Sequence, residues 1–257
     1  MNEKYLKDGA IKLWDAGEDI IYIGLNNPPV NALSNQVVDE LQDALSYIEK
    51  NKKYKALDIS GVGGVFSAGA DLKERATMSD SETILFIDKL NDCFDIIENL
   101  EIPTIANISG VALGGGAELA LCCDFIAVYH DIKYKKEPKI GFPETTIGII
   151  PGAGGTYRIF KKMNSSVAKR WVLSGKAFSF QEAIEDGFVD FDSSQLSEFY
   201  DYLRANSRTS LVAAKASMNR CYLETDRKKQ RLIELEEYKK TLDSPDRKEA
   251  LKKYKKK

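Results

Sequence analysis

The chain has 257 residues, of which 43% are apolar and 30% charged, with 18 Gly, 7 Pro and a formal net charge of −2. That balance suits a folded globular protein and not a disordered one, and it leaves no basic face for a nucleic-acid backbone. No run of about 18 apolar residues occurs, so no membrane-spanning helix is expected, and the charged opening Met1-Asn2-Glu3-Lys4-Tyr5 lacks the apolar core of a signal peptide.

The elements read as follows. Ala10-Ile11-Lys12-Leu13-Trp14 and Ile20-Ile21-Tyr22-Ile23-Gly24-Leu25 are short strands separated by a turn cluster. Asn26-Asn27-Pro28-Pro29 halts the second. Ser34 then caps a helix whose apolar stripe is Val37, Val38, Leu41, Ala44, Leu45 and Ile48. A strand over Ala56–Ser60 runs into the glycine-rich loop Gly61–Gly69. A second helix covers roughly Ser81 to Leu100, with Ile84, Ile87, Phe94 and Ile97 among its apolar positions. Thr104–Ile108 is a strand opening onto Gly110–Gly116, where another helix begins and reaches about Cys123. Phe125–Tyr129 and Lys139–Phe142 are further strands. Beyond Gly155 the pattern is mainly helical. The last stretch, Asp226–Lys257, bears only a narrow apolar strip of Leu232, Leu235, Leu242 and Leu251, which suits packing on another surface or subunit. Alternating strands and helices with glycines at the changeovers give an α/β class.

Residue supply narrows the chemistry. His130 is the single histidine, there is no G-x-S-x-G elbow, and Cys93, Cys122, Cys123 and Cys221 show no C-x-x-C spacing. A serine triad or a Cys/His metal site is therefore hard to build, and the thiols read as reduced and mostly buried. Acid–base groups would be carboxylates, Lys or Tyr. Two glycine-rich segments follow strands, Phe66-Ser67-Ala68-Gly69-Ala70-Asp71-Leu72 and Ala112-Leu113-Gly114-Gly115-Gly116-Ala117-Glu118. A helix opening in glycines presents free N–H groups that a ligand oxygen can approach; glycines alone would equally serve as turns. Glu118 lies in the first turns of an otherwise apolar helix, either satisfied by the helix terminus or held for proton transfer. Glu144 follows a short strand and precedes the cluster Pro151-Gly152-Ala153-Gly154-Gly155-Thr156. Burial can lift such carboxyls toward neutral pH, so that one acts as base and the other as acid.

Asn31-Ala32-Leu33, Phe66 to Glu74, Ile102-Pro103-Thr104-Ile105-Ala106, Gly110 to Ala120, Cys123-Asp124, Phe142-Pro143-Glu144 and Pro151 to Thr156 stand in the order of one family. Over nearly its whole length the chain resembles the crotonase (enoyl-CoA hydratase/isomerase) superfamily. The resemblance implies a crotonase, ClpP-like spiral of ββα units over residues 1–190, holding the acyl-CoA site, and a helical trimerisation region over 191–257. It implies that the Ala70 and Gly115 N–H groups bind a thioester carbonyl, and that Glu118 leans toward activating water and Glu144 toward protonating Cα. Ala68, Ala70, Asp71, Leu72, Lys73, Gly114 and Gly115 would contact coenzyme A, with Pro143 and Gly148 shaping the Glu144 loop. No permanent cofactor and no metal are implied; coenzyme A enters as the substrate carrier. A cytoplasmic homotrimer or homohexamer is expected.

Some features depart from the family. The two glutamates are 26 positions apart, a few more than expected, with the excess at Tyr129–Pro138, read as a lengthened hairpin. Asn26 and Asn27 stand where a basic residue is common, and the stretch after Val189 is short. The leading reading is hydration of a trans-2-enoyl-CoA or the reverse. Double-bond isomerisation, a specialised hydratase or lyase on another acyl-CoA or carrier-bound thioester, and a non-catalytic binding subunit are the alternatives.

Overall fold

The computed structural model describes residues 4–17, 19–129 and 138–255. The chain opens with β1 (Lys4–Asp8), β2 (Ile11–Asp15) and β3 (Ile20–Leu25), an antiparallel meander. Next comes α1 (Asn35–Lys50), where the Ser34 hydroxyl accepts the Val37 N–H at 3.3 Å, a cap worth about 1 kcal/mol. All six residues of its expected stripe are buried. β4 (Ala56–Gly61) runs parallel to β3 and leads through a glycine-rich loop to α2 (Leu72–Arg75) and α3 (Asp80–Asn99). β5 (Thr104–Ser109), β6 (Val111–Leu113) and α4 (Gly115–Leu121) follow, then β7 (Phe125–Tyr129) and β8 (Lys139–Gly141). After a 3-10 turn over Pro143–Ile147 come α5 (Gly155–Arg158), α6 (Ser165–Ser174), β9 (Ala177–Ser179), α7 (Phe180–Glu185) and β10 (Phe191–Asp192). Four helices close the chain: α8 (Ser193–Ala205), α9 (Arg208–Leu223), α10 (Arg227–Thr241) and α11 (Pro245–Lys255).

The large sheet has the order β1-β2-β3-β4-β5-β7-β10, parallel from β3 to β10. Its central strands are buried on both faces, as parallel strands covered by helices must be. Each turn of the chain leaves a long strand in this sheet and a short one, or a single bridge, in a second layer. Leu33 bridges Ala70, Ser67 bridges Ala112, and β6-β8-β9 form a three-stranded sheet. This repetition is the spiral expected from the family resemblance. α1 and α3 bury one apolar cluster, while Leu196 and Leu203 of α8 cover Ile20, Ala56, Ile105 and Ala127 on the opposite face.

Four local features differ from the sequence expectation. β1, β9 and β10 are strands that polar or very short segments conceal; β1, Lys-Tyr-Leu-Lys-Asp, sits at a sheet edge, where charge is tolerated. In α3 the buried stripe is Phe86, Leu90, Cys93, Phe94 and Ile97, whereas Ile84 is 58% exposed. Cys93, Cys122 and Cys123 are free and buried, as expected, and Cys221 is half-buried. His130 and most of the expected Tyr129–Pro138 hairpin lie outside the described residues.

α9 is tied to the body by Lys215, whose ammonium donates to Asp124 Oδ2 at 2.6 Å and Ile102 O at 3.0 Å. α10 folds back on α9 as a hairpin, with Arg220 paired to Glu236 and Glu237. The pair leaves Met218, Leu223 and Leu232 between 64% and 79% exposed.

Candidate active site

The loop between β4 and α2 is shaped by Ser67, whose hydroxyl donates to Asn31 O at 2.7 Å and accepts the Gly69 N–H at 3.1 Å. Gly69 has φ +92°, and a methyl there would lie 2.7 Å from Leu113 O and 3.1 Å from Gly115 N. Glycine is needed at this position twice over, for the dihedral and for the close approach. The Leu33 N–H donates to Gly69 O at 2.8 Å, and the Asp71 N–H donates to Leu33 O at 3.2 Å. In such a parallel bridge the residue between, Ala70, directs its own N–H away from the partner strand. It lies beside Gly115, where an added methyl would sit 3.5 Å from Ala70 N.

Gly115 is the first residue of α4, so its N–H has no carbonyl partner within the helix. Among the described residues no carbonyl or side chain takes either the Ala70 or the Gly115 N–H. Two unengaged donors thus stand side by side, one from each of two successive turns of the spiral.

Glu118 lies one turn into α4 and is 3% exposed. Its Oε1 accepts the Ala153 N–H at 2.8 Å and the Gly155 N–H at 2.9 Å, so the satisfaction comes from the glycine cluster and not from its own helix. Glu144 sits in the 3-10 turn after β8, with Oε1 over Gly114, where a methyl would approach to 2.8 Å. Its Oε2 is buried without a hydrogen-bond partner. A buried, unpartnered carboxylate oxygen is costly and calls for a ligand or a function.

Burial pushes the Glu118 carboxyl up to about 7; the Glu144 charge adds to the rise, while the Gly155 and Ala153 N–H groups and the Arg158 charge oppose it. Burial also raises Glu144, against the pull of its own backbone N–H. Ala70, Gly114, Gly115, Glu118 and Glu144 are therefore brought together. The other expected contacts continue along the first loop toward the surface. Ala68 is half-buried and donates its N–H to Val30 O, and Leu72 and Lys73 are exposed. The Asp71 carboxylate has a local task, accepting the Lys73 and Glu74 N–H groups as the α2 cap. Asn26 and Asn27 spend their amides on Gly9 O and Ala32 O.

A model of the enoyl-CoA hydratase/isomerase family matches residues 15–257. The chain belongs to this family. It is 40% identical over 189 residues to a mitochondrial protein of Arabidopsis thaliana named as an enoyl-CoA hydratase, covering 73% of this chain and 60% of that one. Over 179 residues it is 40% identical to mitochondrial methylglutaconyl-CoA hydratase of Mus musculus, covering 69% and 55%. The chain thus spans less than two thirds of the length of these relatives. The Bacillus subtilis protein YngF, named among enoyl-CoA hydratases/isomerases, is 34% identical over 243 residues, 91% of this chain and 90% of that one. The crystal structure of enoyl-CoA hydratase from Bacillus anthracis superposes with a TM-score of 0.89 at 31% identity over 96% of both chains. The crotonase fold is therefore shown for this chain.

Sequence reasoning missed Arg158, a fully buried guanidinium, and the two N–H donors to Glu118. The available signal was a lone Arg among Tyr157, Ile159 and Phe160, directly after the glycine cluster.

Proposed function

We propose that this enoyl-CoA hydratase/isomerase family member hydrates a trans-2-enoyl-CoA to the 3-hydroxyacyl thioester, or runs the reverse dehydration. The observation that carries the reading is the meeting of two unengaged N–H donors with two buried carboxyls of raised pKa. The Ala70 and Gly115 N–H groups would take the thioester oxygen, which gains negative charge as water adds at Cβ. Preset donors stabilise that charge more than the neutral carbonyl. Ionised Glu118 would draw the proton from water, with Oε1 pinned by the loop. Glu144, whose carboxyl burial raises, would deliver a proton to Cα. Both acids are present, which favours hydration over double-bond isomerisation. Coenzyme A would run along Ala68, Leu72 and Lys73, with Asp71 holding that loop in shape.

Mixing the protein with crotonyl-CoA should bleach the ultraviolet band of the conjugated thioester. A silent reaction, with new conjugation appearing from a 3-enoyl-CoA, would replace this reading with isomerisation. A second reading, a branched acidic enoyl thioester, is favoured by the 40% identity to the mouse protein named methylglutaconyl-CoA hydratase. A panel of linear and branched enoyl-CoA esters separates the two by kcat/KM.

The pH dependence follows from Glu118. Its carboxyl is raised from 4.5 to about 7, so below pH 7 it is protonated and cannot serve as base. We expect kcat/KM to climb as pH rises through about 7, and a pH profile flat from 5 to 8 would remove Glu118 from that role.

The exposed apolar residues of α9 and α10 support region 191–257 as the contact between subunits, giving a trimer or hexamer of the 28.7-kDa chain. Light scattering on a sizing column should return three or six times that mass, and a monomer would overturn the assignment. The buried free thiols fit a reducing compartment, which we take to be the cytoplasm.

A further inference from the structure

We propose that Arg158 is a positioning residue for Glu118: it clamps the Gly152–Gly155 loop onto α3, so that the loop N–H groups hold one carboxyl oxygen of Glu118 and leave the other for water. This rests on the reading of Glu118 as the group that activates water.

The Arg158 side chain is 1% exposed. Its Nε donates to Glu98 Oε2 at 2.7 Å and one terminal nitrogen to Asp95, both on α3. The other terminal nitrogen, Nη1, donates to Ala153 O at 2.9 Å. Ala153 in turn gives its N–H to Glu118 Oε1 at 2.8 Å, so a single residue separates the guanidinium from the carboxyl. A second tether from α3, the Asn91 amide, donates to Gly152 O at 2.9 Å. Gly154, with φ +98°, makes room for this arrangement, since a methyl there would lie 1.9 Å from Nη1.

A buried Arg is not an economical way to stabilise a fold. Its desolvation is costly, and an apolar side chain of similar volume often stabilises as well or better. Here the planar fork does what an apolar side chain would not, fixing the direction of a loop carbonyl while two carboxylates on another helix hold it still. The groups facing Glu118 are Glu144 from the 3-10 turn, Arg158 from α5 and the thiol of Cys122, which caps the end of α4; Asp95 and Glu98 of α3 act through Arg158. The positive charge of Arg158 favours ionised Glu118, so its loss makes that carboxyl hold its proton more tightly.

The test uses the full chain with Arg158→Met, Arg158→Lys and Glu98→Gln. Two readouts are followed against pH: hydration of crotonyl-CoA, and the Glu118 carboxyl resonance in ¹³C-glutamate-labelled protein, assigned with Glu118→Gln. Arg158→Met should lower kcat by roughly 10²-fold, the order expected for a misplaced catalytic group, with KM little changed. It should also move both the rate limb and the resonance to higher pH. Arg158→Lys keeps the charge and should restore the wild-type midpoint. Glu98→Gln removes a neutralising charge and should move the midpoint to lower pH, and it decides the matter if Arg158→Met does not fold. Midpoints that stay at the wild-type value in folded Arg158→Met, or in Glu98→Gln, overturn the inference. A wild type silent on crotonyl-CoA counts against the hydratase reading alone, because the resonance still reports whether Arg158 controls Glu118.

Discussion

Glu144→Gln is expected to lower the hydration rate on crotonyl-CoA by roughly 10²–10⁴-fold, the usual share of a general acid. The replacement has the same shape and cannot donate a proton in the acid's manner. Structurally little depends on the carboxyl: beyond its own backbone N–H, Oε2 makes no hydrogen bond, and burial already disfavours its charge. Thermal stability should therefore hold or rise, because the amide removes an ionisable group from an apolar site. Glu118→Gln should cost a similar factor for a different reason. Its carbonyl can still accept the Ala153 and Gly155 N–H groups, so the loop survives while the base is lost. Stopped-flow absorbance with a melting curve on each variant checks both. A Glu144→Gln enzyme with wild-type kcat would remove that residue from the chemistry.

Gly69→Ala is the second large effect. Backbone donors cannot be deleted by ordinary substitution, but they can be displaced. An alanine methyl would lie 2.7 Å from Leu113 O, a backbone atom that can move only with the start of α4, and φ +92° is strained for any side chain. The Ala70 and Gly115 N–H groups would shift apart. Losing one such donor costs about 3–4 kcal/mol of transition-state stabilisation, so kcat should fall by roughly 10²–10³-fold. Some stability will be lost as well, so the rate is to be compared with a control of equal strain away from the site. Gly17→Ala supplies it, in the turn between β2 and β3, at φ +79° with open space around it. Equal losses of rate in the two variants would count against the amide pair.

How far the sequence foretold this can be judged from particular residues. The Val37–Ile48 stripe and the strands of the parallel sheet were legible, because burial on one face or on both writes a periodic apolar code. β1 and the short β9 and β10 were not, since edge and two-residue strands carry little such code. At the site, the glycines and both acids could be picked out locally. Their meeting was implied by the family resemblance alone and by no local pattern, for Ala70 and Gly115 come together only because two turns of the spiral stack. Which donors satisfy Glu118 was hidden for the same reason: Ala153 and Gly155 lie 35 and 37 positions away. Asp71 carries two signals: the family pattern implies a coenzyme A contact, and an Asp followed by Leu-Lys-Glu is also a helix cap by elementary rules, the task its carboxylate performs here.

The two donors at Ala70 and Gly115 belong to the main chain, whereas the carboxyls opposite them are side chains. If those amides capture the ester as proposed, single-codon changes can rewrite what happens to it while the capture itself is inherited unchanged. Grip and reactivity would then be encoded in separate alphabets, with only the second easily edited.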